Sequence, residues 1–119
     1  MKKYLSCIFT LAFSLGLAQA QNITARIPQF SNKKVTVWKT VIYPEANQSL
    51  KMHRHDHDRV LVALTDGVLQ VNDNQGKSHL LKFKKDRAYY LTKDKKGVLH
   101  NDVNLTKKPI RVMIIDLND

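Results

Sequence analysis

The densest group of side chains able to hold a metal ion in this sequence is His53-Arg54-His55-Asp56-His57-Asp58. Imidazole nitrogens suit zinc, copper, iron and nickel, and bond zinc at about 2.0–2.1 Å. On an extended strand successive side chains alternate faces, so His53, His55 and His57 are expected on one face and Arg54, Asp56 and Asp58 on the other. Residues two apart on a strand sit about 6.5 Å apart, near enough for two imidazoles to lean toward one ion. A further histidine, His100, follows far along the chain in Gly97-Val98-Leu99-His100 and joins the group only if the fold closes on itself. The competing reading is a polar surface strand in which histidine and aspartate alternate. Three histidines of one parity, with a distant fourth, favour a site. His79 falls on a predicted hairpin strand and is read as surface.

The elements that must position these residues read as strands. Lys34 to Tyr43 is rich in β-branched and aromatic residues and is ended by Pro44. Val60 to Leu64 is a continuous apolar run, Asp66-Gly67 a turn, and Val68 to Val71 the next strand. Asn72-Asp73-Asn74-Gln75-Gly76 is a hairpin signal, because several of these residues tolerate positive φ. Ser78 to Phe83 returns from it, Ala88 to Leu91 is a short strand, and Ile110 to Leu117 is a buried closing strand. No segment carries apolar residues at helical spacing for long. Short strands at intervals of about 8–12 residues predict an all-β sandwich or barrel.

In these motifs the chain resembles the cupin superfamily. That family's first motif is His-x-His, three or four residues, Glu, six residues, Gly. This chain offers His53-x-His55, four residues, Val60, six residues, Gly67. The second motif ends Gly-x-x-His-x-x-x-Asn, and Gly97-x-x-His100-x-x-x-Asn104 matches it. The resemblance runs from Val35 to Leu117 and implies a double-stranded β-helix of jelly-roll type. It also implies metal ligands at His53, His55 and His100. The family glutamate maps to Val60, which cannot ligate, leaving Asp58 or His57 as substitutes if the strand is bulged. Lys95 stands where the family has a proline. The cofactor implied is a divalent transition metal (iron, manganese, nickel, copper or zinc), and the activity is oxygen-dependent oxidation or metal-assisted isomerisation of a small molecule. The lost glutamate also admits a non-catalytic module that binds a saccharide or small anion.

Composition sets the remaining bounds. Met1-Lys2-Lys3-Tyr4 is a positive head, Leu5 to Leu17 is apolar and uncharged, and Ala18-Gln19-Ala20 is a small-x-small cleavage site. This is the order of a secretory signal, and the run is shorter than the about 20 residues a spanning helix needs. Residues 1–20 are therefore expected to be a signal peptide and residues 21–119 one domain, exported to a bacterial periplasm or medium. The single cysteine, Cys7, leaves with the signal, which excludes a disulfide framework, a thiolate metal site and a cysteine nucleophile.

Without Lys2 and Lys3 the net charge falls from +10 to +8. The lysines are scattered in pairs without interleaved aromatics, which argues against nucleic acid as a partner. A chain this small buries about 60–70% of its unfolded surface, so a homodimer is the expected supplement. Of adjacent Tyr89 and Tyr90, one is expected to point inward. Tyr90 and Trp38 are the candidate contacts for a small-molecule ligand, Trp38 and Tyr43 being core or pocket wall. Asp58 and Arg59 would form an exposed ion pair worth little.

Overall fold

The computed structural model describes residues 23–119, so the expected signal peptide lies outside the described residues. Nine strands follow in chain order: β1 (Ala25–Ser31), β2 (Val35–Ile42), β3 (Leu50–His53), β4 (Arg59–Ala63), β5 (Gly67–Asp73), β6 (Ser78–Phe83), β7 (Ala88–Leu91), β8 (His100–Asn104) and β9 (Ile110–Leu117). They form two antiparallel sheets in the orders β1-β2-β9-β4-β7 and β3-β8-β5-β6. This is the all-β jelly roll expected from the sequence. Among the described residues no helix is long and apolar enough to cross a membrane.

The strands β2, β4, β5, β6, β7 and β9 fall within a residue or two of the runs read from the sequence. Three others did not stand out. Strand β1 contains Pro28, which is tolerated because β1 is an edge strand and its register shifts between Pro28 and Phe30. Strands β3 and β8 are short and carry polar residues, so their alternation is not hydrophobic. The Asn72–Gly76 turn closes β5 onto β6: Gly76 has φ +83°, and Asp73 Oδ1 accepts from the amides of Gln75 and Lys77 at 2.8 and 2.9 Å.

Alternation decides what each strand sends inward. Leu61 and Ala63 of β4, Leu69 of β5, Phe83 of β6, and Ile110, Val112 and Ile114 of β9 are buried with Ile42 in one core cluster. Tyr89 packs edge-on against Phe83, with centroids 5.9 Å apart, while Tyr90 faces outward. The glycine of the first motif, Gly67, sits where an added Cβ would lie 2.6 Å from Ile110 Cγ1, so close packing of β5 on β9 requires its bare backbone. Strand β8 differs from its neighbours. Its buried residues are His100, Asp102 and Asn104, all polar, on a strand paired to β3 on one side and β5 on the other.

Candidate metal site between the sheets

Strand pairing brings the two motifs together. His53, the last residue of β3, is the register partner of His100, the first residue of β8. Their ring centroids are 4.5 Å apart. His55 follows where the chain has left β3, and its ring lies 4.9 Å from that of His53 and 5.2 Å from that of His100. One ring nitrogen from each of the three falls within 4.8 Å of the others.

The expectation that His53, His55 and His57 share a strand face is corrected here. Strand β3 stops at His53, so residues 54–58 follow no two-residue repeat. His57 is outside the three-histidine group. It lines a separate cavity of about 250 Å³ beside Trp38, Arg26 and Asp116. Its Nδ1 is buried and has no hydrogen-bond partner.

The irregular segment is tied down by the loop before β8. Asp94 accepts the His55 amide at 2.7 Å, and the Asp94 amide donates to the His55 carbonyl at 2.9 Å. Arg54 donates to the carbonyls of Lys95 and Asp94 at 3.1 and 3.4 Å and to Asp56 at 2.6 Å. Two of the imidazoles are also oriented. His53 Nδ1 donates to the Lys51 carbonyl at 2.6 Å, and His100 Nδ1 lies 3.3 Å from Asp94 Oδ2. Since a carbonyl only accepts, the proton of neutral His53 is on Nδ1 and its Nε2 lone pair is free to ligate. An acceptor on the far nitrogen is the usual second-shell arrangement of a metal-binding histidine.

Burial is the main electrostatic force on the site. It pushes His55 from 6.5 down to about 2, with Arg59 adding to the effect. Burial likewise lowers His100, against the pull of Asp102 and Asp94. Asp102 is raised, again by burial. Neutral imidazoles are the form a metal needs. The cavity among these residues is about 50 Å³, room for an ion and water beside the rings.

The residue at the place of the missing glutamate does not face the histidines. Val60 lies on the face of β4 opposite Arg59 and Leu61, and these two line the histidine cavity. Arg59, one residue before Val60, takes the inward place instead. That residue is buried rather than exposed, donates to the Thr92 carbonyl at 3.1 Å, and has its pKa lowered by burial. It is not paired with Asp58, which accepts from Tyr90 Oη at 2.7 Å and from the Lys93 amide at 2.8 Å. The Tyr90 bond holds the Asp58 carboxyl below its usual range, and Asp58 raises Tyr90 in return. Asp58 is therefore engaged outside the cavity.

The two candidate ligand contacts lie on different openings. Trp38 donates from Nε1 to Asp116 Oδ2 at 3.1 Å, and Arg26 covers its ring at 4.3 Å. Tyr90 is exposed on a groove of about 540 Å³ that reaches His100 and Asp102 and is also lined by Lys77, Lys93 and Lys95.

The motif asparagine has a structural part. Buried Asn104 donates to the carbonyls of Ile42 and Lys108 at 2.9 and 2.8 Å and accepts from the Thr106 amide at 2.7 Å and its hydroxyl at 2.6 Å.

Sequence reasoning missed Asp94, Asp102 and the inward turn of Arg59. The available signal was the alternation His100-x-Asp102-x-Asn104, which places all three on one face once β8 is known to be a strand.

No protein-family model and no curated protein sequence matches the chain. Solved structures do. A cupin domain from Bordetella pertussis Tohama I superposes with TM-score 0.70 at 23% identity, covering 85% of this chain and 99% of that one. An RmlC-like cupin family protein with a double-stranded β-helix fold, from Methanocaldococcus jannaschii, gives 0.60 at 11% identity, covering 84% of each chain. A cupin-2 domain containing protein from Shewanella frigidimarina gives 0.53 at 17% identity, covering 89% of this chain and 92% of that one.

Proposed function

Starting from the cupin fold of this chain, we propose that it is an exported protein that binds one divalent transition metal through His53, His55 and His100. The observation that carries this reading is the convergence of three imidazoles, two of them held by acceptors on their Nδ1 atoms. The donor set fits such an ion. Burial holds His55 and His100 below the usual imidazole range, the cluster is mostly shielded from water, and Asp94 and Asp102 offset the charge that Arg59 adds. Iron, manganese, nickel, copper and zinc all accept imidazole ligands to differing degrees. When bound, the ion supplies Lewis-acid or redox chemistry, consistent with a small-molecule oxygenase or isomerase. The chain's own part is to fix the rings, keep them unprotonated and limit the space beside them. The signal-like residues 1–20 support export.

Metal content of the chain, purified without a histidine tag, tests the reading beside a His53→Ala/His100→Ala double variant. About one ion per chain, lost in the variant, is expected. A wild-type chain that takes up none of the five metals overturns it. Intact-mass measurement of the exported chain tests processing, with Gln21 as the expected first residue.

A second reading rests on Arg59. A buried guanidinium lining the histidine cavity, with Lys77, Lys93 and Lys95 on the adjoining groove, favours a non-catalytic module for a small anion or an acidic saccharide. An anion-dependent rise in Tm that a chelator leaves unchanged would establish it.

We also propose a homodimer joined through the outer face of the five-stranded sheet. The register aligns Tyr90, Val60 and Ile115 across that face and carries it past buried Val37 to Phe30, with Tyr90 59% and Phe30 58% exposed. Sedimentation velocity should show a dimer that Phe30→Lys weakens.

A further inference from the structure

We infer that Asp102 supplies a fourth, carboxylate ligand to the ion held by His53, His55 and His100, in place of the acidic residue that the first motif lacks. This assignment rests on the metal-binding reading and names a ligand outside both motifs' histidine and glutamate positions. Asp102 Oδ2 lies 3.5 Å from His53 Nε2 and 4.0 Å from His100 Nε2. Two donors bonded to one ion at about 2.0–2.2 Å stand roughly 3.0–3.5 Å apart at right-angled or tetrahedral geometry. The first separation meets that range and the second exceeds it by an amount that a small side-chain rotation closes.

The two acidic residues near His100 take opposite sides of its ring. Asp94 faces Nδ1 and so orients the imidazole from behind. Asp102 faces Nε2 of both His100 and His53, outside the 4.8 Å group that the three histidine nitrogens form, and so borders the ion's place from the side of these two rings. The backbone holds Asp102 in that place. His100 and Asp102 are two apart on β8 and share its inward face, and β8 is flanked by β3 and β5, which pair Asp102 with Leu50 and Val71. Strand β8 is thus an interior strand of its sheet, where a side chain has little freedom to swing away.

Charge gives an independent reason. Asp102 is 8% exposed, and a buried carboxylate is costly unless a cation or hydrogen-bond donors meet it. Among the described residues, no lysine or arginine nitrogen lies within 4.0 Å of it; its close partners are the two imidazoles. A divalent ion at the Nε2 atoms would neutralise it. The buried cation nearest in sequence to the first motif, Arg59, instead donates to the Thr92 carbonyl.

Cobalt(II) titration of the full chain, followed by calorimetry and visible absorption, tests the assignment on wild type, Asp102→Asn and His53→Ala. Asp102→Asn keeps the side-chain shape and removes the anionic oxygen. It should bind Co²⁺ at least tenfold more weakly, with a changed ligand-field spectrum, while His53→Ala loses the site. Binding by Asp102→Asn within twofold of wild type, with an unchanged spectrum, overturns the assignment and leaves the three-histidine reading intact. Absence of Co²⁺ binding by wild type overturns both. Should Asp102→Asn fail to fold, a zinc-minus-apo infrared difference spectrum of wild type replaces it. A shifted carboxylate stretch supports ligation, and imidazole bands alone overturn it.

Discussion

Asp94 Oδ2 bridges His100 and His55, lying 3.3 Å from the His100 Nδ1 atom and accepting the His55 amide at 2.7 Å. One carboxylate on the loop before β8 therefore sets both a ring orientation and the backbone position of a second histidine. Removal of such an outer partner typically lowers metal affinity about 10–100-fold. Asp94→Ala should show a loss in that range by competition with a chromogenic zinc chelator, with one ion per chain retained at saturation. An affinity within twofold of wild type would show that the two histidines are positioned without it.

Asn104 serves four hydrogen bonds at the far end of β8 from His100, joining the end of β2 to the turn that leads into β9. Its truncation leaves the buried Ile42 carbonyl without the Asn104 donor and the Thr106 amide without the Asn104 acceptor. An orphaned buried polar group costs about 1–3 kcal/mol. Asn104→Ala should lower unfolding stability in urea by about 2–3 kcal/mol. Because Asn104 touches no histidine of the cluster, zinc bound per folded chain should not change.

The metal-free protein should lose stability on the acid side of neutrality. Burial, with Arg59 second, holds folded His55 at about 2, while the unfolded histidine titrates at 6.5. The unfolded chain therefore gains a proton that the folded chain refuses. Stability is full above about pH 6.5 and falls below it, by at most about 1.4 kcal/mol per pH unit. His100, also lowered by burial, acts in the same direction. Asp102, raised by burial, acts in the opposite direction. Urea midpoints should decline from pH 7 to pH 5, and His55→Gln should flatten the curve. A flat wild-type curve would mean that His55 is solvated in the folded chain.

The amino-acid sequence by itself determined the all-β class and most of the strand set, because alternating β-branched residues and turn-forming Asn72–Gly76 are local properties. That His100 joins His53-x-His55 was implied by the resemblance of the two motifs to the cupin pattern, not by any local property of either segment. The sequence did not reveal β3 and β8, whose alternation is polar rather than apolar, nor β1, whose proline is acceptable only on an edge. The tertiary structure decided which side chains meet. Face assignment has a period of two, so one residue in where a strand starts or stops turns a side chain from the interior to the outside. The end of β3 at His53 frees His55 from the repeat and takes His57 to another cavity; the start of β4 at Arg59 sends an arginine inward and Val60 out. Asp94 and Asp102 reach the histidines only through the pairing of β3 with β8, a contact between segments more than forty residues apart that no local pattern encodes.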